Sequence, residues 1–183
     1  MLISKRNLLG TLVSLTIIGF LFASSSLLLA DPVPGGPGYA IYHASAFLPT
    51  KSTITYNNFN SRLVNETAPF ALFYAPVSLP HGATINKFIL YYTDNDATQN
   101  TNAELRQTAY PDLTSPILAS VSSDGSSPTP TFAETTGITN PVIDNQRYGY
   151  HVRLFLPVSV TNLSVNGFRI DYTFPINLPL IMK

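Results

Sequence analysis

The hydrophobic pattern changes character once along the chain. Residues 8–22 form an uncharged, mainly apolar run behind Lys5 and Arg6, whereas from Tyr39 onward apolar and polar positions alternate in short stretches. Alternation with a period of two marks a β-strand with one buried side, because successive side chains leave the backbone on opposite faces. In residues 147–157, Tyr148, Tyr150, Val152, Leu154 and Leu156 share one face, and Arg147, Gly149, His151 and Arg153 share the other. Near the C-terminus Phe168, Ile170 and Tyr172 alternate in the same way with Arg169, Asp171 and Thr173. No stretch combines helical periodicity with capping residues.

The predicted strands are residues 40–47, 53–57, 70–75, 84–93, 103–110, 117–122, 132–135, 147–157 and 164–174. Turn formers separate them: Leu79-Pro80-His81-Gly82, Ser123-Asp124-Gly125, Asp144-Asn145, and Asn166-Gly167 just ahead of Phe168. Parallel strands need long helical crossovers, and none is present, so the pairing is antiparallel. Sheets with one wet face pack in pairs. The expected fold is therefore all-β, a two-sheet antiparallel β-sandwich of jelly-roll or Greek-key type, following an N-terminal signal segment.

An internal echo supports this reading. Residues 85–93 and 165–173 align without gaps, sharing an initial aliphatic residue, then Asn, Phe, Tyr and Thr at matching positions. Common origin and convergence both explain it, and convergence is preferred because the flanking sequences do not match. Either way Phe88, Leu90, Tyr92, Phe168, Ile170 and Tyr172 are expected to face the core.

The N-terminal pattern fixes the expected compartment. A basic start, an apolar core and the small residues Ala23, Ser24 and Ser25 make an export signal, with cleavage after Ser25 or, preferably, after Ala30. The competing reading is an uncleaved membrane anchor, since about 20 apolar residues suffice to span. Export places the protein in the secreted or cell-surface space, with no stable membrane insertion after cleavage and an extracellular or envelope partner. The expected organisation is a signal peptide over residues 1–30, a Pro/Gly spacer over 31–38, a sandwich domain over 39–173 and an apolar tail over 174–183.

Composition narrows the chemistry. The 183 residues include no cysteine, which removes disulfides, thiolate metal sites and the lipoprotein type of anchor. Ten basic residues balance ten acidic ones, and the basic residues beyond Arg6 are scattered singly, so no nucleic-acid partner is implied. No Gly-x-Ser-x-Gly elbow occurs, and Glu66, Glu104 and Glu134 are the only glutamates. No catalytic residue is assigned.

Two clusters are candidates for binding. Asp94, Asn95 and Asp96 form the densest set of oxygen ligands, which calcium would suit, although Asp and Asn also bond their own backbone in turns, the preferred reading. No other cofactor is expected. His43, His81 and His151 lack the spacing of a zinc site. Tyr91, Tyr110 and Tyr148 are the candidate ligand-binding rings, since exposed tyrosines stack on sugars. Asn65-Glu66-Thr67 and Asn162-Leu163-Ser164 fit the glycosylation acceptor pattern.

The segment from Ala75 through Ala83-Thr84-Ile85, Phe88 and Tyr91-Tyr92-Thr93-Asp94-Asn95-Asp96 resembles a group of exported bacterial β-sandwich proteins that carry no assigned activity. Leu105-Arg106, Asn140-Pro141-Val142-Ile143-Asp144-Asn145, Arg147-Tyr148 with Tyr150, and Phe168-Arg169-Ile170-Asp171-Tyr172-Thr173 extend the resemblance over most of residues 40–173. It implies a single β-domain in or outside the bacterial envelope. The tail, with Leu178-Pro179-Leu180 and a terminal Lys183, is similar to short sorting endings of exported proteins; the alternative is a final edge strand. The leading functional expectation is a non-catalytic binding or structural domain. A secreted hydrolase on a jelly-roll scaffold and a carbohydrate-binding module are the alternatives.

Overall fold

A computed structural model describes residues 36–67, 69–125, 127–158 and 163–174. The chain divides into Met1–Asp31 and Pro32–Lys183. The expected export segment with its two expected cleavage points, Asn162 and the tail beyond Phe174 lie outside the described residues.

Among the described residues eleven strands form: β1 Pro37–His43, β2 Leu48–Pro49, β3 Tyr56–Phe59, β4 Arg62–Asn65, β5 Phe70–Val77, β6 Thr84–Asp94, β7 Asn102–Ala109, β8 Ile117–Ser122, β9 Ser127–Thr135, β10 Tyr148–Pro157 and β11 Leu163–Thr173. One sheet runs β3-β4-β11-β6-β9, with β1 also paired to β11; the other runs β2-β5-β10-β7-β8. Every ladder between these strands is antiparallel. The orders β4-β11-β6-β9 and β5-β10-β7-β8 are those of a jelly roll, two Greek keys folded face to face.

Alternation sets which side of each strand is buried. Tyr150, Val152, Leu154 and Leu156 of β10 face Phe88, Leu90, Tyr92, Phe168 and Ile170 of the opposite sheet across one core. Tyr172 packs against this cluster but stays half-buried. The echoing segments are β6 and β11, which pair with each other at the centre of the six-stranded sheet, Leu90 opposite Phe168 and Phe88 opposite Ile170. Both present the same inner face to the core.

Several local expectations are corrected. Residues 40–47 are not one strand: β1 ends at His43 and Ala44–Ala46 form a single 3-10 turn, capped by the His43 ring, whose Nδ1 accepts the Ser45 N–H. Pro37 and Gly38 belong to β1 rather than to a spacer, because a proline is tolerated at the start of an edge strand and Gly38 lets the Tyr172 ring lie close over the backbone, 2.6 Å from where a Cβ would stand. Asn166-Gly167 is not a turn. It is a bulge inside β11, where the register to β6 shifts between Val165 and Gly167.

β9 begins five residues earlier than predicted because Pro128 and Pro130 sit on an edge strand, where missing N–H groups cost nothing in the ladder. Asn65 is fully buried, its amide donating to Leu156 O at 2.8 Å and Thr67 O at 3.0 Å, so it is a structural bridge rather than a glycosylation acceptor.

Candidate functional site

The outer face of the six-stranded sheet is where register gathers chemistry. β1 contributes Tyr39 and Ile41, β11 Arg169 and Asp171, β6 Lys87, Ile89 and Tyr91, and β9 Phe132 and Glu134. They form three cross-strand rows: Tyr39, Asp171 and Lys87; Ile41, Arg169, Ile89 and Glu134; Gly167, Tyr91 and Phe132. Strands lie about 4.8 Å apart, so the face extends roughly 14 Å from β1 to β9.

Its charges are paired among themselves. Arg169 Nη2 donates to Asp171 Oδ2 at 2.9 Å and Nε to Oδ1, a two-pronged contact that fixes the guanidinium plane. That plane lies 5.2 Å from the centre of the Tyr39 ring. The Asp171 hydrogen bonds, then its charge and the Tyr91 hydroxyl, raise the Arg169 guanidinium above its ordinary value. Lys87 Nζ sits 3.0 Å from both Glu134 oxygens. Ile89 is buried beneath these side chains, whereas Tyr39 and Phe132 are 65% and 55% exposed.

Two shallow depressions flank the charged strip. One of about 350 Å³ lies between Tyr39, Arg169, Asp171 and Lys87, and the other, about 310 Å³, between Tyr91, Phe132 and Asn166. Tyr91 and Phe132 are tilted rings 6.3 Å apart. The buried Asn166 Oδ1 has no hydrogen-bond partner among the described residues. A buried acceptor of this kind is costly unless a donor reaches it. A larger hollow of about 390 Å³ on the β3–β4 hairpin holds one aromatic ring, Phe59, without an ion-paired strip beside it.

The other outer face is chemically different. On the five-stranded sheet Glu104 Oε2 accepts from Arg106 Nε at 2.7 Å and from Arg153 Nη2 at 2.7 Å, and Tyr74 meets His151 edge-on at 5.2 Å between ring centres. His151 is half-buried there. Burial first, then the charges of Arg106 and Arg153, lower its pKa from the ordinary 6.5. The folded state therefore holds this ring neutral where the unfolded chain would protonate it. Its contribution to stability is complete above the unfolded pKa and is lost as pH falls below about 6.5 toward the lower folded value. Melts at pH 7.5 and 5.5 are expected to show a smaller acid-induced drop for His151→Gln than for the wild type; an equal drop would contradict this account of the ring.

The tyrosines expected to bind ligand do not converge. Tyr91 lies on the six-stranded face; Tyr110 is exposed on the β7–β8 loop beside Gly149; Tyr148 is half-buried and packs against the core. Asp94 ends β6 and Asn95 and Asp96 begin the loop after it; the carboxylate oxygens of both aspartates accept hydrogen bonds from this chain. Asp94 is fully buried, with Oδ1 accepting Asp96 N–H at 3.0 Å and Oδ2 accepting from Ser123 Oγ. Asp96 Oδ1 accepts from Thr98 N at 2.9 Å and Thr98 Oγ1 at 2.6 Å, and these hydrogen bonds lower its pKa. Asn95 is exposed.

His43 Nδ1 lies 2.9 Å from Ser45 Oγ, but the same nitrogen caps the 3-10 turn. His81 Nδ1 accepts from Asn145 N at 3.1 Å and so ties one loop to another.

Sequence reasoning missed Tyr39, Phe132, Arg169 and Asn166 as parts of one site. The available signal was double-sided apolar alternation in β1, where Tyr39 and Ile41 point out while Ala40 and Tyr42 pack inward.

No protein-family model matches the chain, and no curated protein sequence matches it. Among solved structures it is similar to the xylan-binding module CBM15, with 10% identity over 76% of this chain and 97% of that one and a TM-score of 0.47. It is similar to a family 35 carbohydrate binding module from Clostridium thermocellum, with 14% identity, 73% and 97% coverage and a TM-score of 0.42. It is also similar to the Tobacco streak virus coat protein, with 10% identity, 82% and 96% coverage and a TM-score of 0.39.

Proposed function

We propose that this chain is an exported, non-catalytic binding domain whose outer six-stranded face takes a neutral polysaccharide. The observation that carries the reading is the depression between Tyr91 and the exposed Phe132 ring beside the ion-paired strip. Sugar rings offer an apolar face to stack on aromatic rings and a rim of hydroxyls to exchange hydrogen bonds with exposed polar side chains. Tyr39 supplies a second platform across the face. Between them Arg169–Asp171 and Lys87–Glu134 present oriented donors and acceptors with no net charge, which suits hydroxyls better than carboxylates or phosphates. The face is shallow and open at its ends, so it fits a chain passing across it rather than a small molecule enclosed in a pocket.

Electrophoresis through gels containing soluble glucans, mannans or xylans is expected to retard the protein on at least one of them. Tyr39→Ala and Phe132→Ala are each expected to weaken that retention by about tenfold, equivalent to ~1.4 kcal/mol. Absence of retardation on every neutral polymer, or equal retardation on a polyanionic one, would overturn the reading.

A further inference from the structure

β1 borders this face along one backbone edge. β1 pairs with β11 on one side, and no strand among the described residues pairs with its other side. The remaining borders are blunted. β9 carries Pro128 and Pro130, β2 and β3 are two and four residues long, and Leu118 O of β8 accepts from Thr139 N at 2.8 Å. β1 runs seven residues without a charged side chain or an internal proline, the kind of edge that recruits another strand.

Its polarity can be read from the ladder. Phe174 N donates to Gly36 O at 3.4 Å, so the Gly36 carbonyl points toward β11. Alternation then aims the backbone groups of Gly38, Ala40 and Tyr42 at β11, and those of Tyr39, Ile41 and His43 outward.

We infer that β1 pairs antiparallel with β1 of a second copy, in a two-fold register centred on Ala40. This register sets Tyr39 opposite Ile41 of the second copy, and both residues carry outward backbone groups, so they exchange N–H···O bonds in both directions. Registers that place outward groups opposite inward ones cannot do so. His43 comes opposite Pro37 of the second copy, and its N–H reaches the Pro37 carbonyl.

The side chains agree with the backbone. Tyr39 and Ile41, 65% and 63% exposed, become aromatic-to-β-branched cross-strand pairs on the outer face. The flanking charges are complementary as well. Arg169 lies beside Ile41 and Asp171 beside Tyr39, so each row across the two-fold runs Arg169, Ile41, then Tyr39 and Asp171 of the second copy. No like charges are opposed. The two outer faces join into one, with the isologous symmetry of a closed dimer. The pairing stands on the edge itself and does not depend on what the face binds.

Sedimentation velocity of the protein purified from expression of the full chain is expected to show a concentration-dependent dimer. Ile41→Lys places a cation in the centre of the contact, and Ile41→Pro removes an outward N–H that the β11 ladder does not use. Both variants are expected to be monomeric with wild-type circular dichroism. Ala40→Cys tests the register in a chain that has no other thiol. Opposed non-hydrogen-bonded residues lie about 4.5 Å apart at Cα, within disulfide range. Oxidation is therefore expected to give a covalent dimer that Ile41→Lys in the same chain abolishes. A wild type that stays monomeric at its highest soluble concentration, a dimer that survives Ile41→Pro, or an Ala40→Cys dimer that fails to crosslink would each overturn the inference.

Discussion

Replacing Phe168 by alanine is expected to destabilise the domain by about 3 to 5 kcal/mol, whereas replacing its neighbour Arg169 should cost little. Phe168 is fully buried at the centre of the aromatic core, stacked on Tyr42 at 4.6 Å between ring centres, with Phe47 at 5.4 Å and Phe88 at 6.2 Å. Truncation would open a cavity bounded by three rings held on separate elements, which cannot all collapse into it. Arg169 lies one residue on and faces solvent, and its pair with Asp171 is accessible to water. Urea unfolding of the two variants measures the contrast. A greater loss for Arg169→Ala would mean that β11 faces the other way and that every inner residue is misassigned.

Gly167→Ala is expected to cost about 3 kcal/mol or more, from a strained backbone together with a forced shift of the neighbouring strand. Gly167 adopts φ +147°, and an added Cβ would stand 2.2 Å from the Tyr42 carbonyl oxygen. That oxygen belongs to the β1 backbone, so relief requires β1 to move away from β11. The bulge is thus the point where the β1 edge is pinned. Unfolding curves and amide exchange at Tyr42 would report it, with faster exchange accompanying the lost stability. A variant within about 0.5 kcal/mol of wild type would contradict the bulge geometry.

The inner face of the sandwich was legible because half-buried strands write their burial into the sequence at period two. Tyr150 to Leu156 in β10 and Phe168 to Ile170 in β11 carry that pattern without interruption, and each of the predicted inward residues there is buried. Short strands carry no such signal. β2 and β4 are too brief to show a period, and they exist because β5 and β11 offer them open ladders. Asn166-Gly167 misled because the same dipeptide serves a tight turn and a bulge, and only the partner strand distinguishes the two.

The candidate site was less legible for a deeper reason. Tyr39, Arg169, Lys87 and Phe132 lie on four strands that follow one another in space but not in sequence, and only register makes them neighbours. Tyr91 was singled out as a ring that could meet a sugar. Its partner Phe132, opposite it on β9, was read only as part of a short strand, because an isolated aromatic among Thr, Ala and Glu is indistinguishable from a core position.

The measurement that bears most directly on the binding face is chemical-shift mapping of the labelled protein with an oligosaccharide cut from the polymer that retards it. The largest perturbations are expected at Tyr39, Lys87, Tyr91, Phe132, Asn166 and Arg169, with Tyr74, His151 and Arg153 unmoved. Perturbations centred on Tyr74, His151 and Arg153 instead would place the ligand on the five-stranded sheet and contradict the assignment of the site.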